Sequence, residues 1–115
     1  MSDYRCSFDV NRQPMCFAGL DSRLTDANSA FCTLSGYARM EVNGISLFNC
    51  TAPADLEAVQ QHWNQLAQPG ADSSVSYKCR FVRKDGQQIL CNIDLVCIQK
   101  QGKPFCFVVS ANPTQ

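Results

Sequence analysis

Apolar residues along this chain recur first every second position, then at helical spacing, then every second position again. Met15-Cys16-Phe17-Ala18 is a short apolar run, Gly19-Leu20-Asp21-Ser22 a turn, and Arg23-Leu24-Thr25-Asp26 a strand returning beside the first. Ala30, Phe31 and Leu34 then share one helix face, with a cap at Asn28 or Ser29 and a stop at Gly36. Ala38 to Val42 and Ser46-Leu47-Phe48 predict two further short helical pieces. Pro53-Ala54-Asp55-Leu56 opens the longest helix. Leu56, Val59, Trp63 and Leu66 form its buried stripe and Pro69-Gly70 its end.

After Asp72-Ser73-Ser74, strand alternation resumes, with Val75, Tyr77, Cys79 and Phe81 on one face and Ser76, Lys78 and Arg80 on the other. Asp85-Gly86 is a hairpin signal leading to a strand that sets Ile89, Cys91, Ile93, Leu95 and Cys97 against Leu90, Asn92, Asp94, Val96 and Ile98. Lys100-Gln101-Gly102-Lys103 turns into the last strand, with Phe105, Phe107 and Val109 opposite Cys106, Val108 and Ser110, ended by Asn112-Pro113. This order predicts an α+β domain, one antiparallel sheet with helices packed on one face. Residues 1–13 read as a polar lead-in, 14–113 as the domain and 114–115 as a tail.

At 115 residues the chain has the size of one domain. Ten Lys plus Arg balance ten Asp plus Glu, and there is no basic stripe interleaved with aromatics, so direct nucleic-acid binding is not expected. No run approaches the roughly 18 apolar residues of a membrane span. Met1-Ser2-Asp3-Tyr4-Arg5 also lacks an apolar signal segment, so a cytoplasmic chain, or a nuclear one in a eukaryote, is expected.

Of the eight cysteines, Cys16, Cys32 and Cys106 sit beside phenylalanines, where a free thiol serves as a small buried hydrophobe. Neither disulfides nor a metal site is expected, because Cys-x-x-Cys is absent and His62, the only histidine, has no cysteine within helical reach. Cys50, close to a helix start, is the mild candidate for a redox thiol. An enzyme is not expected, since nucleophilic, acid-base and phosphoryl chemistry each lack a needed group. Asp26 reads as a hairpin-to-helix cap.

Ala27-Asn28-x-Ala30-Phe31, Leu34-x-Gly36-Tyr37, Glu41-Val42-x-Gly44, Pro53-x-Asp55-Leu56 and Tyr77-x-Cys79-Arg80-Phe81-x-Arg83-Lys84-Asp85-Gly86 occur in that order and spacing. Together they resemble a PAS domain, from about residue 14 through Pro113. The resemblance implies a five-stranded antiparallel sheet cupping a helical flank with one longer helix. It also implies a role in sensing or protein association inside a larger signalling or transcription-regulating protein. By the same comparison the photoreactive cysteine of flavin-binding relatives falls on Leu47, and the ring-gripping amides fall near Phe81, Cys91 and Ala111, so flavin is not expected. Haem is the one cofactor left open. His62 lies about a turn past the expected ligand position near Ala58 or Val59, and it reads as a solvated helix histidine.

The inward wall implied is Tyr77, Cys79, Phe81, Cys91, Ile93, Phe107 and Val109, faced by Phe31, Tyr37, Leu47 and Trp63. These side chains either fill one another or leave room for an uncharged, flat or aliphatic ligand, with the Tyr37 and Tyr77 hydroxyls, Ser110 and the thiols as polar handles. The second candidate surface is the outer sheet face, Leu90, Asn92, Asp94, Val96, Ile98, Cys106 and Val108, with Lys78 and Arg80 at its rim. It suits a second copy, a partner domain or a helix, or else a segment of this chain such as 1–13 covers it.

Overall fold

A computed structural model describes residues 12–68 and 74–114. The first eleven positions of the lead-in, Cys6, the helix end at Pro69-Gly70 and the Asp72-Ser73 link lie outside the described residues. The alternating segments form β1 (Met15–Ala18), β2 (Leu24–Ala27), β3 (Ser74–Val82), β4 (Gln88–Lys100) and β5 (Lys103–Pro113). Between β2 and β3 come α1 (Ser29–Ser35), α2 (Arg39–Val42), a 3-10 turn (Leu47–Cys50) and the longer α3 (Pro53–Leu66). The strands make one antiparallel sheet in the order β2-β1-β5-β4-β3. The α+β architecture is the one expected.

Register places Cys79 opposite Cys91, Tyr77 opposite Ile93, Ile93 opposite Ala111, and Val109 between Leu95 and Cys16. Side chains opposite one another share a face, so the inner set becomes a continuous wall packed under the helices. Both edges of this sheet are closed by the same connector. At β2, Leu24 N–H donates to the Ile45 carbonyl and Gly44 N–H to the Leu24 carbonyl, both at 2.8 Å. At β3, Ala52 N–H donates to the Arg80 carbonyl at 2.9 Å and Arg80 N–H donates to Asp55 Oδ2 at 2.8 Å. The edge groups that would template another strand are thereby occupied along these stretches.

Asn28, wholly buried, joins strand to helix. Its Oδ1 accepts from Phe31 N–H at 2.9 Å, capping α1, and from Met15 N–H at 3.1 Å, while Nδ2 donates to the Gln13 carbonyl at 2.9 Å. At the other end of α1, Gly36 takes φ +81°, and the β3–β4 hairpin docks there. Arg83 Nε donates to the Leu34 carbonyl and Lys84 N–H to that of Ser35, each at 2.8 Å, satisfying carbonyls that the helix end leaves without an internal partner. Two separate motifs, Leu34-x-Gly36 and Arg83-Lys84-Asp85-Gly86, are thus the halves of one contact.

Local expectations fail at three places. The second strand runs one residue later than expected because Arg23 bridges to Ser46 instead. Asp26 does not cap the helix. Its Oδ1 accepts from Ala27 N–H at 2.8 Å and pairs with Arg39 at 3.1 Å, while Asn28 supplies the cap. Phe105, expected on the inner face, is 54% exposed next to a register shift between Ile98 and Gln99, with Lys100 Nζ 4.5 Å from its ring centroid.

Replacing Asn28 with alanine leaves the Met15 and Phe31 amides and the Gln13 carbonyl without this partner in a dry setting. The expected loss is about 3 kcal/mol, a fall in Tm of more than about 10 °C by thermal unfolding. Asn28→Asp keeps the acceptor at a helix start and is expected to lose less.

Candidate functional site

The concave face of the sheet and the helices over it form the candidate chamber. Phe31, Leu47, Trp63, Cys79, Phe81, Cys91, Ile93, Phe107 and Val109 are buried in one apolar cluster, and Tyr37 and Tyr77 are partly buried against it. The wall mixes small side chains, Cys16, Ala18, Ala27, Cys79, Cys91, Cys97 and Ala111, with the larger Phe81, Ile93, Leu95, Phe107 and Val109, and large side chains of the helices pack on it. The cluster also includes Leu95 and Cys97, which the β4 alternation already places on this face, together with Leu24, Val42, Cys50, Val59 and Leu66.

Trp63 is the hub. Its ring lies 4.4 Å from that of Phe107 by centroid and 5.3 Å from that of Phe48, the latter edge-on. An indole N–H withdrawn from water needs an acceptor, and Nε1 donates to the Tyr77 hydroxyl at 3.1 Å, tying α3 to β3. Phe31 meets Phe81 edge-on at 5.8 Å at the other end of the chamber. His62 is not the solvated residue expected. Its ring stacks on Tyr77 with centroids 4.9 Å apart and planes 3° apart, and Nδ1 is buried. Helix periodicity puts His62 on the flank of the stripe, and only the approach of β3 turns that flank inward.

The seven described cysteines are free. Burial pushes Cys79 up to about 12 and Cys50 and Cys91 to about 11, and it raises Cys16 well above its ordinary value. Cys50 is a buried core thiol whose loss of water, not offset by the helix start beside it, holds its proton. Cys79 and Cys91 face each other across β3 and β4. Arg80 turns its N–H and C=O outward to Asp55 and Ala52, so Cys79 turns its own toward β4. That is the hydrogen-bonded type of pair, with Cβ atoms about 5.5 Å apart, wider than the roughly 3.5–4.5 Å a disulfide needs.

On the convex face, Leu90, Val96 and Ile98 are 46%, 38% and 41% exposed, and Cys106 and Val108 are partly covered. Val96 pairs with Val108 and Ile98 with Cys106, giving one apolar block. Asn92 and Asp94 are exposed beside it, Asp94 accepting from Ser76 Oγ at 2.6 Å. Ser110 belongs to this side as well, paired with Asp94 and Met15, and is not a chamber handle, since alternation puts it opposite Val109. Arg80 is held by Asp55 at the sheet edge, 3.5 Å away. A surface depression of about 390 Å³ lined by Gly36, Arg83, Lys84 and Asp85 lies at the docked hairpin, apart from the chamber.

The sequence profile described as a PAS domain matches residues 12–114. No curated protein matches. Among solved structures, the chain resembles the PAS domain of a Colwellia psychrerythraea protein, with TM-score 0.85, 18% identity, 96% of this chain and 93% of that one covered. It resembles a domain of a sensory box sensor histidine kinase/response regulator from Geobacter sulfurreducens, with TM-score 0.78, 16% identity and 95% and 90% covered. An RNA-binding light-oxygen-voltage receptor matches with TM-score 0.81 and 20% identity over 96% of this chain but 31% of its own.

The buried thiols set an alkaline limit. An unfolded chain releases thiol protons near the ordinary value of 9.0, whereas Cys50, Cys79 and Cys91 hold theirs to about 11–12. The unfolded state therefore sheds protons first, and stability is expected to fall as pH rises from about 9 through this range. Chemical denaturation across pH 7–11 checks it. A folded chain at pH 8 should leave these thiols unmodified by a disulfide reagent until it is unfolded.

Proposed function

The chain belongs to the PAS family, and from that premise we propose that it is the sensory module of a larger signalling or regulatory protein, holding a small, neutral, mostly apolar ligand under α3. The observation that carries this reading is the apolar cluster under α3, where the small wall residues Cys79, Cys91, Cys97 and Ala111 stand beside Phe81, Ile93, Leu95 and Phe107, the last in contact with Trp63. Relatives in fold from a sensor histidine kinase and a light-oxygen-voltage receptor support the signalling context. In this reading the module senses rather than catalyses. A ligand transmits only if it favours one arrangement of α3 on β3 over another, since equal affinity for both shifts nothing.

A second reading, association through the convex face, is favoured by the Val96, Ile98, Cys106 and Val108 block. Apolar residues there gain by burial against a second copy or a partner helix. The two readings are compatible, because the same strands carry both faces.

Trp63 is the sole tryptophan, so its fluorescence reports on the chamber directly. Titration with small apolar molecules is expected to shift that emission. Ile93→Phe, which fills the wall, is expected to weaken binding at least about tenfold, at an overpacking cost of about 1–3 kcal/mol in stability. Unchanged emission across such a series, with native mass of the purified chain alone, counts against the ligand reading. For the convex face, sedimentation equilibrium compares wild type with Val96→Glu. Association at micromolar concentration that the variant abolishes supports the interface, and a wild-type monomer at high micromolar concentration removes it as a self-association site.

A further inference from the structure

Along β4 the exposed side chains of the convex face read Asp94, Val96, Ile98, Lys100: acid, apolar, apolar, base. Gln99 marks the other side of the strand, because its Nε2 donates to the Gln68 carbonyl just past α3, so Lys100 stays on the face of Val96 and Ile98. Read backwards, this order is its own complement. On β5 the apolar pair is Cys106 and Val108, and register sets Cys97 opposite Phe107, so the midpoints of the two patterns lie on one line across the sheet. Neither end charge is neutralised within the chain. Asp94 accepts from the neutral Ser76 hydroxyl and Lys100 lies over the neutral ring of Phe105, and among the described residues neither has an ion pair.

We propose that the convex face is a two-fold interface with a second copy of this chain, centred on the Cys97 and Phe107 positions and held in register by two Asp94–Lys100 contacts. The inference rests on the association reading given above and adds the partner and its orientation. A two-fold contact requires that when one residue meets another, the second also meets the first. An axis along the midpoint line lays β4 on β4 and β5 on β5 in opposite directions. Val96 then meets Ile98, Cys106 meets Val108, and Asp94 meets Lys100 at both ends. With the strands parallel instead, Asp94 stands level with Asp94 and Lys100 with Lys100, which repels. An aspartate and a lysine together span the about 10 Å between stacked sheets. The apolar block supplies the attraction, and the charges choose the orientation.

Sedimentation equilibrium of the full chain tests this. Wild type is expected to dimerise, and Asp94→Lys and Lys100→Asp each to weaken dimerisation about tenfold or more, because each sets like charges together twice. Mixed in equal amounts, the two variants are expected to pair with one another at least as tightly as wild type does, a rescue that loss of fold in either cannot produce. A zero-length carbodiimide link between Asp94 and Lys100 in wild type needs no variant. Six residues along one strand hold the two about 20 Å apart, so that link forms only between copies. If wild type associates and Val96→Glu abolishes it, but the mixture stays monomeric and no such link forms, the proposal is overturned while the convex-face reading stands. If wild type is a monomer at high micromolar concentration, the proposal falls together with self-association at this face.

Discussion

A sheet with one buried face must also close its edges, and in this protein a single connector meets that constraint on both sides. Residues 44–46 bond to β2 and residues 51–55 bond to β3, at opposite margins of the five strands. Leu47 and Cys50, between these attachments, are buried over the concave wall. The connector is thus fixed at both ends with its middle set over the chamber. Only four residues separate the two attachments, room for the single 3-10 turn Leu47–Cys50 and no longer helix.

Within this frame two kinds of interaction divide the work. Asn28 and the Arg83-Lys84 hairpin hold α1 at its two ends through hydrogen bonds to backbone, which are directional and fix its position. The α3 helix is anchored at its start by Asp55, which accepts from the Arg80 N–H, and rests beyond it on ring contacts and the bond from Trp63 to Tyr77.

The thiols fit the same division. They line the wall as small hydrophobes, and burial keeps them protonated. Cysteine and alanine at these places serve as small core side chains.

Periodicity alone determined the element order, the two-faced alternation of β3 and β4, and the Val59, Trp63 and Leu66 part of the stripe on α3, whose first member, Leu56, stays partly exposed, because these depend on how side chains repeat along the backbone. The motif spacing gave the family. Local pattern could not choose between Asn28 and Asp26 as the cap, since both carry an oxygen near the helix start. The choice fell to which side chain also reached the Met15 amide and the Gln13 carbonyl, residues 13–15 positions away. Nor could it distinguish the flank of α3 from its solvent face. The approach of β3 turned His62 from a surface residue into half of a part-buried ring stack, since an interhelical or helix-sheet contact depends on crossing geometry that no single segment encodes.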